Sequence, residues 1–207
     1  MSKLVFGKNL KNQKLTRACR PTAVSRRALC RAFGDTSEMM QVYVVGTDHN
    51  FQKGHESYKE AAAEFRQYII DVCSLTHVKA IGEEISREAL AEAGVEKSTC
   101  EMLANEIGLK HYLCDPDKAA RQALRIRLEN DIRLEGFRKN WKLKIIQKRI
   151  LEEHRKREEI WLGQVEAFQN YPVLFVCGAN HIKSFSSLLR NKGLRSEVLS
   201  KDWAPNK

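Results

Sequence analysis

Two short segments carry the same chemistry at the same spacing. The apolar run 42–45 leads into Gly46-Thr47-Asp48-His49, and the apolar run 173–177 leads into Gly178-Ala179-Asn180-His181. Each delivers a histidine three residues past a glycine. A neutral imidazole can take a proton from water near pH 7 or coordinate a divalent ion, and a carboxylate beside it raises its basicity or completes a ligand set. The glycine lets the backbone approach a substrate closely. Carboxylates stand at comparable places: Glu83 and Glu84 after the run 78–82, and Asp115 and Asp117 after the run 111–114. Glu84 also reads as a helix-start carboxylate and Asp117 as an N-cap. His77, His111 and His154 lack the glycine context and read as structural or surface residues.

The elements that must position these groups alternate along the chain. Strands are expected at 41–46, 78–82, 111–114, 173–177 and 195–199, apolar throughout rather than alternating, as when both faces are covered. Between them, residues 51–54 are expected to form a loop, and Tyr58, Ala62, Phe65, Ile69 and Val72 make one helical face ending near Thr76. A broken helix spans 87–93, and Ser98 with Glu101 forms a capping box for a helix that stops at Gly108. Residues 118–169 contain no proline; as one rod they would run roughly 75–80 Å at 1.5 Å per residue, so the tract must fold back, with the bend placed at 136–140. Leu124, Leu128 and Ile132 are expected to form one apolar stripe, and Leu134, Phe137, Trp141 and Ile145 another. A last helix covers 181–191. The expectation is an α/β fold: a mostly parallel sheet of about five strands, helices on both faces, and a long helical hairpin or cap between strands 3 and 4. In such sheets ligands bind outside the carboxyl ends of the strands, where these histidines and carboxylates fall.

Composition narrows the classes. The formal net charge of +10 is uneven. Residues 1–34 hold nine basic and no acidic residues; taking those nine from 36 leaves 27 basic against 26 acidic. The chain therefore divides into a basic tail or extension, 1–39, and one α/β domain, 40–207. The tail suits a disordered arm, an organelle-type presequence or an extension ahead of Met39 and Met40. Nucleic-acid binding rests on this charge and on the basic helix 138–149, with no recognised module. No run has signal-peptide or membrane-spanning length, so a cytoplasmic location and no membrane partner are expected. Six cysteines show no C-x-x-C pairing and fit a reducing compartment. Cys177, inside a strand, is poorly placed for nucleophilic attack.

The motifs together resemble a known superfamily, the erythromycin esterase-like, ChaN-like and TraB/TIKI proteins. Gly46-Thr47-Asp48-His49, Gly82-Glu83-Glu84 and Gly178-Ala179-Asn180-His181 look like its paired Gly-x-x-His with an intervening glutamate. Arg157-Glu158-Glu159-Ile160-Trp161 resembles the Arg-Asn/Asp-x-x-Met/Trp segment of TraB-type members, with Glu158 where Asn or Asp is usual. The resemblance covers roughly 40–200. It implies an α/β hydrolytic fold with both histidines and the first glutamate at the site; members of the group include metal-dependent proteases, esterases that activate water by histidine, and haem-binding proteins.

The expected function is a hydrolase acting on a small molecule or peptide. His49 or His181 would activate water, directly or on a divalent metal (Mn, Zn or Fe) held by His49, Glu83 and His181. Glu83 would orient or ligate, Arg157 would stabilise an oxyanion, and Glu84, Asp115 and Glu158 would contact substrate, with Gly46 and Gly178 giving backbone access. The alternative is a non-catalytic pocket for an anionic ligand or haem-like cofactor, although no G-x-G-x-x-G or Walker A pattern is present.

Overall fold

The computed structural model describes residues 40–205; the basic segment 1–39 lies outside them. Five strands form one parallel sheet: β1 Gln41–Thr47, β2 Ala80–Glu83, β3 Lys110–Leu113, β4 Val173–Gly178 and β5 Arg195–Trp203, in the order β3-β2-β4-β1-β5. The helices are α1 His49–Lys53, α2 Lys59–Thr76, α3 Arg87–Glu92, α4 Thr99–Ile107, α5 Lys118–Ala123, α6 Glu129–Arg138, α7 Leu143–Ala167 and α8 Ile182–Asn191. Single 3-10 turns lie at Glu56–Tyr58 and Ala179–His181.

The apolar strands are apolar because both faces are covered. On one face Val42, Val44, Val173, Phe175 and Cys177 meet Trp161, Leu162 and Val165 of α7 and Phe185 and Leu189 of α8. On the other, Tyr43, Val45, Ile81, Leu174 and Val176 meet Phe65, Ile69 and Val72 of α2 and Cys100 and Leu103 of α4. Strand alternation thus decides which helix a residue meets: Ala80 lies on the α7 face, Ile81 on the α4 face. Glu83, two residues past Ile81, shares the α4 face.

Four local expectations change. The loop expected at 51–54 is the end of α1, capped by the Asp48 side chain and closed at Gly54 with φ 67°. Ser98 caps α4 by accepting from the Glu101 N–H at 2.9 Å, but the Glu101 carboxylate turns to Arg87 at 3.0 and 3.1 Å, so only half of the capping box forms. β5 runs on to Trp203, which packs against Phe51, Phe65 and Tyr68. The tract after Asp117 bends twice, not once. It breaks at 124–128, where Arg125 has φ 53°, and again after α6, where Asn140 has φ 49°. The first break takes Leu124 and Leu128 out of the stripe expected with Ile132: both are exposed and only Ile132 is buried. Leu134, Phe137 and Ile145 are exposed as well.

Candidate functional site

The site is built from β1, β2, β4 and α7. β1 ends at Thr47, and α1 starts at once, so His49 stands on the first turn of a short helix beside the sheet edge. Its Nδ1 lies 2.7 Å from Oε1 of Gln52, three residues on and fully buried. An amide oxygen can only accept, so this contact places the proton on Nδ1 and leaves Nε2 as the basic nitrogen. The His49 side chain keeps 41% of its surface accessible.

β4 delivers His181 on the 3-10 turn after Gly178. This imidazole is only 5% accessible, with Trp161 edge-on at 4.8 Å and His154 tilted against it at 4.3 Å. Its Nδ1 lies 2.8 Å from Oε1 of Glu158, which also accepts from the Ser184 hydroxyl at 2.6 Å. The histidine-carboxylate contact fixes this second ring in the same tautomer as the first.

Both free nitrogens face one carboxylate oxygen. Oε1 of Glu84 is 3.6 Å from His49 Nε2 and 3.4 Å from His181 Nε2. Glu84 follows the last residue of β2 and turns to the α7 face, where Arg157 donates to the same oxygen at 2.5 Å and the Gly178 N–H donates to Oε2 at 2.8 Å. Burial alone would push this carboxyl up; Arg157, His49, His181 and the Gly178 amide outweigh it and hold the carboxyl below its ordinary range. Glu84 is therefore a buried anion at neutral pH. Arg157 is in turn aimed by Asp115, which accepts from its Nε at 2.9 Å and its Nη2 at 2.7 Å. Trp161 Nε1 and Arg121 also donate to Asp115.

Gly178 is required by this approach: a Cβ there would lie 3.0 Å from His49 Nε2 and 3.4 Å from Glu84 Oε2. Gly46 answers a different need. A Cβ there would meet the Lys201 carbonyl at 2.2 Å and Ile182 at 2.6 Å, so it admits β5 and α8 rather than substrate.

Glu83 is not part of this group. From the α4 face its Oε1 pairs with His111 Nε2 at 2.7 Å and accepts from the Ser98 hydroxyl. His49, Glu83 and His181 therefore do not form the ligand set expected for a metal, and among the described residues no group of three or more His, Cys, Asp or Glu is arranged to hold one. The carboxylate that does stand between the histidines already has a guanidinium as its counter-ion, which a dication would have to sit beside. Asp115 and Glu158 are turned toward Arg157 and His181. Asp48 and Asp117 are helix caps, accepting from Asn50 and Ala120 at 2.8 Å each. Cys177 is fully buried, and burial holds its thiol well above the ordinary range.

Three contributors are not evident from motif reading: Gln52, His154 and Arg121. His154 could have been found by spacing, since 154, 157, 158 and 161 fall on one face of a helix. A cavity of about 80 Å³ lies within the helical cap, lined in part by Arg121, His154 and Arg157 together with Ile126, Ile132 and Ile150. Burial, His181 and Arg157 hold His154 below the usual histidine range, so it is a neutral wall at pH 7.

No protein-family model matches this chain, and neither the curated proteins nor the solved structures yield a significant match.

Proposed function

We propose that this chain is a hydrolase in which His49 activates water without a metal. The observation that carries the reading is the convergence of His49 Nε2 and His181 Nε2 on Glu84 Oε1, at 3.6 and 3.4 Å. His49 is the general base because solvent and substrate can reach it and its proton is parked on Nδ1. It takes a proton from water as the water oxygen attacks an ester or amide carbonyl. The imidazolium so formed faces the Glu84 carboxylate, which offsets its charge. His181, anchored by Glu158, is the second proton-transfer group, on the interior side of the same carboxylate. When the tetrahedral intermediate collapses and the bond from the carbonyl carbon to the leaving group breaks, the leaving group takes the proton held on His49 Nε2, and the site returns to its resting state. Arg157 has a different role from the oxyanion donor expected from sequence: its Nε and Nη2 are committed to Asp115 and Glu84, so it holds the central carboxylate in place. The motif resemblance to esterase-like and TraB-type proteins supports the same class of reaction.

The test is hydrolysis of a panel of p-nitrophenyl esters and aminoacyl p-nitroanilides by the full chain. His49→Ala and His181→Ala should each lower kcat/KM by about 10²–10⁴-fold, the usual worth of a positioned acid or base. A His49→Ala variant with the wild-type rate would overturn the reading. Tight retention of an anionic compound with no turnover of any substrate would favour a binding pocket instead.

A further inference from the structure

The helical cap carries a surface that the site does not use. At the turn joining α6 to α7, Phe137 is 81% exposed and Leu143 62%, with Leu134 and Ile145 also exposed. Phe137, Trp141, Leu143 and Ile146 share the wall of a shallow concavity of about 310 Å³. Around this apolar tip the charge is one-sided. Of the basic residues in 133–149, Arg133 pairs with Glu129, Lys139 with Glu135 and Lys148 with Glu152, while Arg138, Lys142, Lys144 and Arg149 have no carboxylate partner among the described residues. Glu135 is itself neutralised by Arg127 and Lys139, each at 2.6 Å. Trp141 lies under the Arg149 guanidinium, 4.1 Å from the ring centroid.

An exposed apolar tip is costly in water unless something covers it. Its cationic rim selects among coverings. A second copy of the chain would bring an equally basic tip against this one. A nucleic acid would satisfy the bases but leave the aliphatic Leu143 and Leu134 without a partner. A bilayer with anionic headgroups satisfies both, taking Phe, Trp and Leu to the acyl boundary while Lys and Arg stay among the headgroups. No helix of the described residues is long and apolar enough to cross a membrane. Lying on a bilayer is a different demand, met by a small apolar surface with a basic surround. We infer that the α6–α7 tip, through Phe137, Leu143 and the surrounding lysines and arginines, docks this protein on an anionic lipid surface.

The experiment is co-sedimentation of the full chain with vesicles of phosphatidylcholine alone and of phosphatidylcholine with phosphatidylserine, alongside binding to a single-stranded RNA oligonucleotide. The first 34 residues are also basic, so charge alone does not isolate the tip; Phe137→Ser with Leu143→Ser does. These side chains are exposed, so the double variant should keep the wild-type circular dichroism and the wild-type rate on any substrate of the site. The expected result is binding to the phosphatidylserine vesicles well above that to phosphatidylcholine, weakened about tenfold or more in the double variant. Lys142→Gln with Lys144→Gln should also weaken it about tenfold or more, because both cations sit near the headgroup surface. Wild-type vesicle binding by the Phe137/Leu143 variant would overturn the inference, as would the lack of any vesicle binding. RNA binding tighter than vesicle binding and unaffected by the two serines would also overturn it, in favour of a nucleic-acid partner.

Discussion

At the scale of single residues, the site depends on how close three groups can come. Gly178 is the clearest case, because its missing Cβ is the space in which the His49 ring edge sits. Gly178→Ala should leave the backbone N–H donating to Glu84 while displacing His49. Hydrolysis should then fall by about tenfold or more, with a thermal midpoint close to wild type; an unchanged rate would show that His49 does not need this position. Gly46→Ala should act in the opposite sense. A methyl 2.2 Å from a backbone carbonyl cannot be accommodated by a flexible side chain, so stability should drop by about 1–3 kcal/mol or more. Denaturant titration would measure it. Both histidines and both glycines were legible as motifs. The choice between Glu83 and Glu84 was not, because adjacent residues at a strand end point to opposite faces, and nothing in Gly82-Glu83-Glu84 says which face meets α7.

At the scale of elements, α7 is the member that turns a sheet edge into a site. It brings His154, Arg157, Glu158 and Trp161 to one face, touching His181 after β4, Glu84 after β2 and Asp115 after β3. Its two buried ion pairs are matched, Arg157 against Glu84 and Asp115. Removing the cation leaves two buried carboxylates facing each other, so Arg157→Ala should destabilise the protein by about 3–5 kcal/mol. Arg157→Lys should recover only part of it, since a point charge cannot serve two carboxylates in the same plane. Urea unfolding of the pair of variants separates these outcomes; a loss under about 1 kcal/mol for Arg157→Ala would contradict the network. The strands and their order along the chain were legible because residues buried on both faces read as continuous apolar runs. The cap was harder. Its tract lacks proline, and Leu124 and Leu128 keep the period of a buried stripe, yet Arg125 breaks the helix between them and both leucines end up in solvent.

At the scale of the whole molecule, the site's charges tie stability to pH. Glu84 has its folded value below the unfolded one, about 4.3 for an ordinary glutamate, so its contribution is present above that pH and lost as pH falls through the folded value. His154 is also depressed, by burial first and then by His181 and Arg157. Its contribution is complete above the ordinary histidine value of about 6.5 and declines as pH falls below it, because the unfolded chain takes up the proton first. Stability should therefore begin to fall below about pH 6.5, and fall again below about pH 4.3. His154→Gln should flatten the first decline in denaturant titrations between pH 7.5 and 5.0; an unchanged slope would mean that the buried imidazole is not its source.

Glu84, rather than Glu83, is the carboxylate that both histidines face. The most direct measurement is kcat/KM of Glu84→Gln and Glu83→Gln on the best substrate of the ester and anilide panel, with folding checked by circular dichroism. Glu84→Gln should lose about 10²-fold or more, and Glu83→Gln should stay within a few-fold of wild type. The reverse order, or equal losses in two folded variants, would contradict it.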